Sequence, residues 1–537
     1  MRKKIGLSVA LRGLMLATLA AWAGSALAQA EGKVRVERFE VSGNTLLPAG
    51  AIDAALARWQ GERTLAELQE AARALQGLYA EAGYGAVVAW LPEQSVSGGR
   101  VQLRVLEGKV ARVTVTGADR STPEAIRRAV PGLQEGRTPR VSDLDAEIQF
   151  ANDTPARQLA LTLEAGAQPG EVDARLVVTE QPPAAWTVAL DNTGNAQTGH
   201  VRVAVGWRHA ALWGLDHQAS VQYQTSLDKP SAVSIISGSY SIPLYGQGLR
   251  VDLYAARSDV DGGTTATAVG PLQFVGKGNV AGLRLSRLLP RLGTFDQRVA
   301  LALDRREYLN DCRIEGLPEG ACGAAGESVA VSPLSLEYIV QRGGERPLGA
   351  NVSVIRNLPM GGRHDDASSF EAARAGAPRG YTVLRGGGFA AWPSGDSGKL
   401  QARVLFQLTG DALVSGEQFG LAGSQVVRGY AEREVTGDSA LMLGLDWFGS
   451  ERVIESGRWL TGWRWTAFAE AGAVRNRRGA ECLAAATRCT LAALGVGWRG
   501  VGQGVQWRAD LAVPLKDGNS TEKNEPRLHV SAQFEFQ

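Results

Sequence analysis

From about residue 185 onward, apolar side chains recur at every second position in one short segment after another, and that period restricts the chain more than any other feature. Successive side chains of a strand leave opposite faces of the pleat, so strict alternation describes a half-buried strand and not a helix. Leu400, Ala402, Val404, Phe406 and Leu408 alternate with Lys399, Gln401, Arg403, Gln407 and Thr409, with Leu405 the one apolar member of the polar set. Leu441, Leu443, Leu445 and Trp447 share the next apolar face, opposite Gly444 and Asp446. Trp463, Trp465, Ala467, Ala469 and Ala471 then stand opposite Arg464, Thr466, Phe468, Glu470 and Gly472. Roughly sixteen such segments follow one another at about 22 residues per strand and connector, which suits spanning strands of roughly 9 to 11 residues with their loops.

Short connectors such as Pro243-Leu244-Tyr245-Gly246 alternate with long ones such as Asp259 to Gly276. Outer-membrane barrels show this asymmetry, with short periplasmic turns and long extracellular loops. Counted from the periplasmic side, the Gly-rich loop holding Val427-Arg428-Gly429-Tyr430 falls at the cell-surface end. Arginine facing lipid at a barrel's midplane costs about 2 to 4 kcal/mol, so Arg428 is expected to point inward, where Glu470 and Asp446 are both candidate partners. The 66 glycines follow no collagen period and suit tight turns, while the 13 tryptophans suit the aromatic girdles of a barrel. A formal charge of +2 gives no argument for a nucleic-acid partner.

The four cysteines form two close pairs, Cys312 with Cys322 and Cys482 with Cys489, each in a loop-like segment at the surface end. Two local disulfides in an oxidising compartment are expected rather than a metal site, which would want additional His or Cys neighbours. No phosphate loop, metal constellation or Ser/His/Asp arrangement stands out among the five histidines, so no cofactor and no enzymatic activity is expected. Arg2, Lys3, Lys4 and Arg12, the apolar run Gly13 to Ala23 and the small residues Ala26-Leu27-Ala28 read as a signal peptide over residues 1–28, cleaved before Gln29.

Two mixed modules precede the strand-rich region. In the first, over residues 29–107, the pattern predicts strand, helix, helix, strand, strand. Val34, Val36, Phe39 and Val41 lead into Gly43-Asn44, Pro48 opens one helix, and Thr64 with Glu67 forms a capping box for the next. Residues 108–180 repeat that order, with Pro123 opening one helix and Ser142 expected to cap another. Gln181-Pro182-Pro183 then marks a boundary, because proline removes backbone donors and stiffens the link.

This order resembles two POTRA domains, the periplasmic modules of the outer-membrane assembly and secretion superfamily. Phe39-x-Val41-x-Gly43-Asn44-Thr45-x-Leu47 and Gly99-Arg100-x-x-Leu103-x-Val105-x-Glu107-Gly108 carry the resemblance of the first. Asn152-x-x-Pro155-x-Arg157 and the element order carry that of the second. Farther on, Glu417-Gln418-Phe419-Gly420, Val427-Arg428-Gly429-Tyr430 and Gly437-Asp438 closely resemble the lumenal loop between strands eleven and twelve of TpsB transporters, the pores of two-partner secretion. Leu190-Asp191-Asn192-x-Gly194 and Tyr240-Ser241-Ile242-Pro243-Leu244 extend that resemblance along the barrel. In that family the loop arginine pairs with an acidic residue of a Phe-x-Asp-x-Gly motif on strand thirteen. The match here is Phe468-Ala469-Glu470-Ala471-Gly472, with Glu in place of Asp.

The resemblance implies two periplasmic α+β POTRA domains followed by a 16-stranded antiparallel transmembrane β-barrel over residues 181–537, with a lumenal loop at about 411–438. It implies an outer-membrane pore that captures a secreted, TpsA-like partner in extended form and passes it to the cell surface. An assembly factor of the same superfamily and a passive porin are the alternatives. The final strand, Leu528, Val530, Ala532, Phe534 and Phe536 against His529, Ser531, Gln533, Glu535 and Gln537, resembles the signal read by the barrel assembly machinery. Some relatives plug the pore with an N-terminal helix. Gln29 to Lys33 are too few for a spanning helix, so no helical plug is expected.

Overall fold

The computed structural model describes residues 33–259, 263–267, 270–274, 276–309, 327–395, 398–455 and 457–537. The expected signal peptide, the residues that bear on a plug helix and the pair Cys312 and Cys322 lie outside the described residues, apart from Lys33.

One compact unit runs from Lys33 to Ala82 and from Val87 to Glu107. Its central strand Arg100–Glu107 lies parallel to Arg38–Ser42 and antiparallel to Val87–Trp90. The helices Ala49–Leu56 and Leu65–Glu81 bury Ile52, Leu56, Leu68, Leu75 and Tyr79 in a core shared with Phe39, Val101 and Leu103. Thr64 and Glu67 cap the second helix reciprocally. The opening strand is split, because Val34–Val36 pairs with a short strand at Gly61–Arg63 before Arg38–Ser42 enters the main sheet. Gly43 has φ of 86°, and a Cβ there would stand 2.2 Å from the Val105 carbonyl oxygen, which restricts this turn to glycine. Glu107 fastens the same turn by accepting the N–H groups of Thr45 at 2.7 Å and Leu46 at 2.9 Å. Burial pushes this carboxyl up, but the hydrogen bonds from Thr45 and Leu46 outweigh it and hold the group below the ordinary carboxylate range.

The second unit begins with a sheet of the same order. Its central strand Glu171–Glu180 is parallel to Lys109–Thr116 and antiparallel to Arg157–Ala165. Helices Pro123–Ala129 and Val141–Ala151 cover a core of Val110, Val113, Ile126, Leu144, Leu159 and Leu176. Thr122 caps the first of these helices. The second begins one residue too early for Ser142 to cap it: Arg140 occupies the cap position, without a side-chain cap, and Ser142 lies within the first turn. The turn of the preceding module recurs here. Gly117 has φ of 76°, with a Cβ position 2.3 Å from the Val178 carbonyl oxygen, and Glu180 accepts the N–H groups of Arg120 and Ser121.

Beyond Ala184 the described residues close sixteen antiparallel strands into a barrel, with Arg527–Phe536 pairing back on Ala184–Asp191. Two further short pieces, Val329–Val331 and Arg452–Val453, pair with strands that already have a longer partner on that side and add no stave. The connector read as a long loop after Asp259 contains a hairpin, Gly263–Thr267 with Gly270–Phe274. A short helix, Ala367–Ala373, lies between the ninth strand, Leu348–Asn357, and the tenth, Thr382–Ser394. Leu441, Leu443, Leu445 and Trp447 are all exposed along one strand, an arrangement that suits contact with lipid rather than water. From Trp186 onward the exposed tryptophans Trp186, Trp213, Trp392, Trp447, Trp459 and Trp465 lie toward the barrel end where the first strand begins, so the tryptophan girdle is one-sided.

Candidate functional site

Thirty residues join the eleventh strand, Gly398–Leu408, to the twelfth, Ser439–Phe448, and they fold into the bore rather than over it. Apolar packing sets their course. Leu421, Ala422, Val427, Tyr430 and Val435 form a buried cluster with the inward-facing Met442, Val474, Leu491 and Ala493. Leu405, the break in the alternation, packs against this cluster, so an apolar residue on a polar face marks the place where the loop sits. Gly472 leaves room for it: a Cβ there would stand 2.3 Å from Leu421 Cδ1. Cys482 and Cys489 are disulfide-bonded and belong to the same cluster.

Arg428 lies at the centre and is only 2% exposed. Its Nε donates to Glu470 Oε1 at 2.9 Å, and its Nη2 reaches Glu470 Oε1 and Asp446 Oδ1, each at 2.6 Å. Its backbone N–H donates to Glu470 Oε2 at 2.8 Å, so both oxygens of that carboxylate are occupied by one loop residue. The guanidinium carbon stands 3.4 Å from the centre of the Phe468 ring, on the same strand as Glu470. The two acidic candidates are therefore joint partners, not alternatives.

Sequence reasoning missed a third carboxylate. Asp510 lies 3.5 Å from Arg428 Nη1 and pairs with Arg499 and Arg508, while Arg403 donates to both Asp446 and Glu470. Four arginines thus meet three carboxylates: Arg403, Arg428, Arg499 and Arg508 against Asp446, Glu470 and Asp510. The alternation Arg508-Ala509-Asp510-Leu511 carried the signal for Asp510, since Leu511 is exposed and Asp510 buried. Gly429, with φ of 93°, donates its N–H to His529 Nε2 at 3.0 Å. The Tyr430 hydroxyl lies 2.9 Å from the carbonyls of Ala492 and Lys516.

Two more ion pairs hold the ends of the loop. Glu417, 1% exposed, accepts from Arg306 Nη1 at 3.0 Å and from the Tyr308 hydroxyl at 2.7 Å, both on the seventh strand, Phe295–Leu309. Arg374 donates both of its terminal nitrogens to Asp438 at 2.7 and 2.6 Å. Between Arg306 on one wall and Glu470, Asp510 and His529 on the other, the loop crosses the bore.

The motif Asn152-x-x-Pro155-x-Arg157 sits where the second module meets the barrel. Arg157, 2% exposed, forms a bidentate pair with Asp216 at 2.7 and 2.6 Å, in the connector between the strands Arg202–Leu212 and His217–Ser226. Tyr245 donates its hydroxyl to the same carboxylate at 2.8 Å and sets its ring edge-on to Phe150. Asn152 instead braces the module, bonding both the N–H and the C=O of Leu159.

Comparison with known proteins bears on this arrangement. The family profile described as haemolysin secretion/activation protein ShlB/FhaC/HecB matches residues 170–500, well over half of the chain. The chain belongs to this family. A second profile, POTRA domain of the ShlB type, matches residues 34–108, so the first module of this ShlB/FhaC/HecB member is a POTRA domain. The chain is an outer-membrane barrel with that domain on its periplasmic side. Outer membrane transporter CdiB of Dickeya dadantii (strain 3937) is 25% identical over 367 residues, which span 67% of this chain and 62% of the relative. CdiB of Escherichia coli O6:K15:H31 (strain 536 / UPEC) is 23% identical over 415 residues, spanning 75% of this chain and 67% of that one. The alignment with the first of these relatives therefore spans less than two thirds of its length. The solved structure of CdiB from Escherichia coli superposes with a TM-score of 0.76 at 19% identity, covering 97% of this chain and 93% of that one, a likeness of fold.

Proposed function

We propose that this chain is the outer-membrane pore of a two-partner, type V secretion system, which binds an extended, TpsA-like partner through its periplasmic modules and passes it through the barrel. The observation that carries the reading is the loop crossing the bore, tied to the wall through Arg428, Glu470, Asp446 and Phe468. A passive porin leaves the POTRA module at residues 34–108 without a role. Family membership supports secretion over the assembly of other barrels.

The modules supply the capture step. A sheet edge accepts an extended peptide as an added strand, which reads main chain before side chains. The second module is a POTRA domain in this reading, supported by its repeated sheet order and by the Gly117 and Glu180 turn that repeats Gly43 and Glu107. The signal peptide occupies residues 1–28, the modules 29–107 and 108–180, the barrel 181–537 and the lumenal loop 411–438. The barrel assembly machinery inserts the chain by reading its last strand, and outer-membrane lipid surrounds it. Transport consumes no nucleotide and involves no nucleic acid.

The test replaces Arg428 with Ala and measures export and barrel abundance separately. Without Arg428, three arginines face three carboxylates, so the wall stays balanced while the loop loses its anchor. The expected result is a folded barrel at normal abundance with export lowered at least about tenfold, the effect of about 1.4 kcal/mol. Unchanged export refutes the role assigned to Arg428, and loss of the barrel makes the pair purely structural.

A further inference from the structure

The outer wall of the barrel carries a shallow groove made by neighbouring small residues. Gly238 pairs across the ladder with Ala255, Ala255 with Ala281, and Ala281 with Arg305. One row nearer the periplasm stand Tyr240, Leu253, Leu283 and Leu303, and one row nearer the cell surface stand Ile236, Arg257, Asn279 and Glu307. The small side chains leave a depression between these rows, roughly 14 Å wide at about 4.8 Å per strand.

The depth of the groove follows from the two arginines that bracket it. Arg287, which pairs with Leu249, and Arg257 both face outward and are exposed. Leu249 and Arg257 are eight residues apart along one strand, which at the usual tilt gives roughly 20 Å along the membrane normal, against an apolar band of about 25 Å. Arginine is costly at mid-membrane and nearly free at the interface, so Arg257 marks the surface-side interface and the groove opens just beneath it. Arg305 is engaged by Ser332 and by the carbonyls of Gly361 and Arg363. The backbone of Arg257 belongs to the ladder, but its side chain makes no ion pair or hydrogen bond with another described residue. Asn279 donates to Glu307 at 3.0 Å, which leaves its second amide hydrogen for a ligand.

We propose that this groove binds a phosphorylated, acylated glycolipid of the outer leaflet. An acyl chain packs on Gly238, Ala255 and Ala281, and a phosphate is held by the Arg257 guanidinium with the Asn279 amide beside it. The proposal rests on the placement of the barrel in an outer membrane, and it gives the wall made by the strands Ser234–Leu244, Leu249–Asp259, Lys277–Leu292 and Phe295–Leu309 a ligand of its own.

The experiment uses the full-length protein in detergent, mixed with monophosphorylated lipid A, dephosphorylated lipid A or phosphatidylethanolamine, and counts retained lipids by native mass spectrometry. Wild type should retain the phosphorylated lipid A about fivefold better than the dephosphorylated form, as about 1 kcal/mol per basic residue implies. Arg257→Glu should abolish that preference, and Ala255→Leu, which fills the groove, should weaken both forms of lipid A. Equal retention of the two forms by wild type, or an unchanged preference in Arg257→Glu, overturns the proposal. Heat-modifiable gel migration shows that each variant folds, and Ala281→Val replaces Ala255→Leu if the latter does not. A wild-type chain that forms no barrel would count against the outer-membrane placement instead.

Discussion

Arg428 and Glu470 form an unusually saturated pair, since one carboxylate takes three donors from a single residue. Glutamate stands here where the family pattern has aspartate, and the extra methylene is used: Oε2 meets the Arg428 backbone while Oε1 meets its side chain. Glu470→Asp should therefore keep the barrel folded but release one of these contacts, lowering export by about threefold to tenfold, or roughly 0.7 to 1.4 kcal/mol. Glu470→Ala should be worse than Arg428→Ala for the barrel itself. It leaves four arginines facing two carboxylates in a closed space, an imbalance expected to cost about 3 kcal/mol or more. The fraction of heat-modifiable barrel in outer-membrane preparations checks this, and equal abundance of the two variants would contradict it. The partners Glu470 and Asp446 were legible in the sequence because each sits on the polar face of a clean alternation. Asp510 and His529 obey the same period, but nothing local says that their strands approach residue 428, because the closure of a barrel is a property of the whole sheet.

Among the elements, the turn that follows the first strand of each module depends on one glycine and one glutamate. A Cβ at Gly43 or Gly117 would meet a backbone carbonyl that cannot move independently of its strand. Gly43→Ala and Gly117→Ala should each destabilise their own module by about 1 to 3 kcal/mol, read as faster proteolysis of that module, and neither should affect the other. Glu107 adds a pH dependence. Its folded carboxyl lies below the ordinary range, so the stability it contributes is complete above its unfolded value, near pH 4, and is lost as pH falls through the lowered folded value. Glu107→Gln should lower stability at neutral pH and flatten that acid-side decline. Strand periodicity and the Thr64 capping box were readable because both are local signals. The split first strand and the hairpin after Asp259 were not, because short pairings rest on register with a neighbour rather than on periodicity of their own.

At the scale of the whole molecule, a pore for an extended chain needs both a docked receptor and a bore that can clear. Arg157 and Asp216 supply the first: removing one member of so buried a pair leaves the other uncompensated, at a cost of about 3 to 5 kcal/mol. Arg157→Ala should raise hydrogen exchange around Asp216 and Tyr245 while the barrel strands stay protected. Unchanged exchange there would show that the pair does not hold the module. The bore is crossed by residues anchored on the seventh strand at one end and, at the other, on the twelfth strand and the four that follow it, Gly462–Arg475, Arg488–Gly502, Val505–Pro514 and Arg527–Phe536, so passage of a polypeptide requires the loop to leave the wall. The most direct test is to lock it in place. In the variant Leu421→Cys, Gly472→Cys a disulfide would join the loop to the wall where Leu421 now packs on Gly472. Export should stop when this bond is closed and return on mild reduction, with wild type unaffected by the same treatment; export that continues with the bond closed would contradict the account.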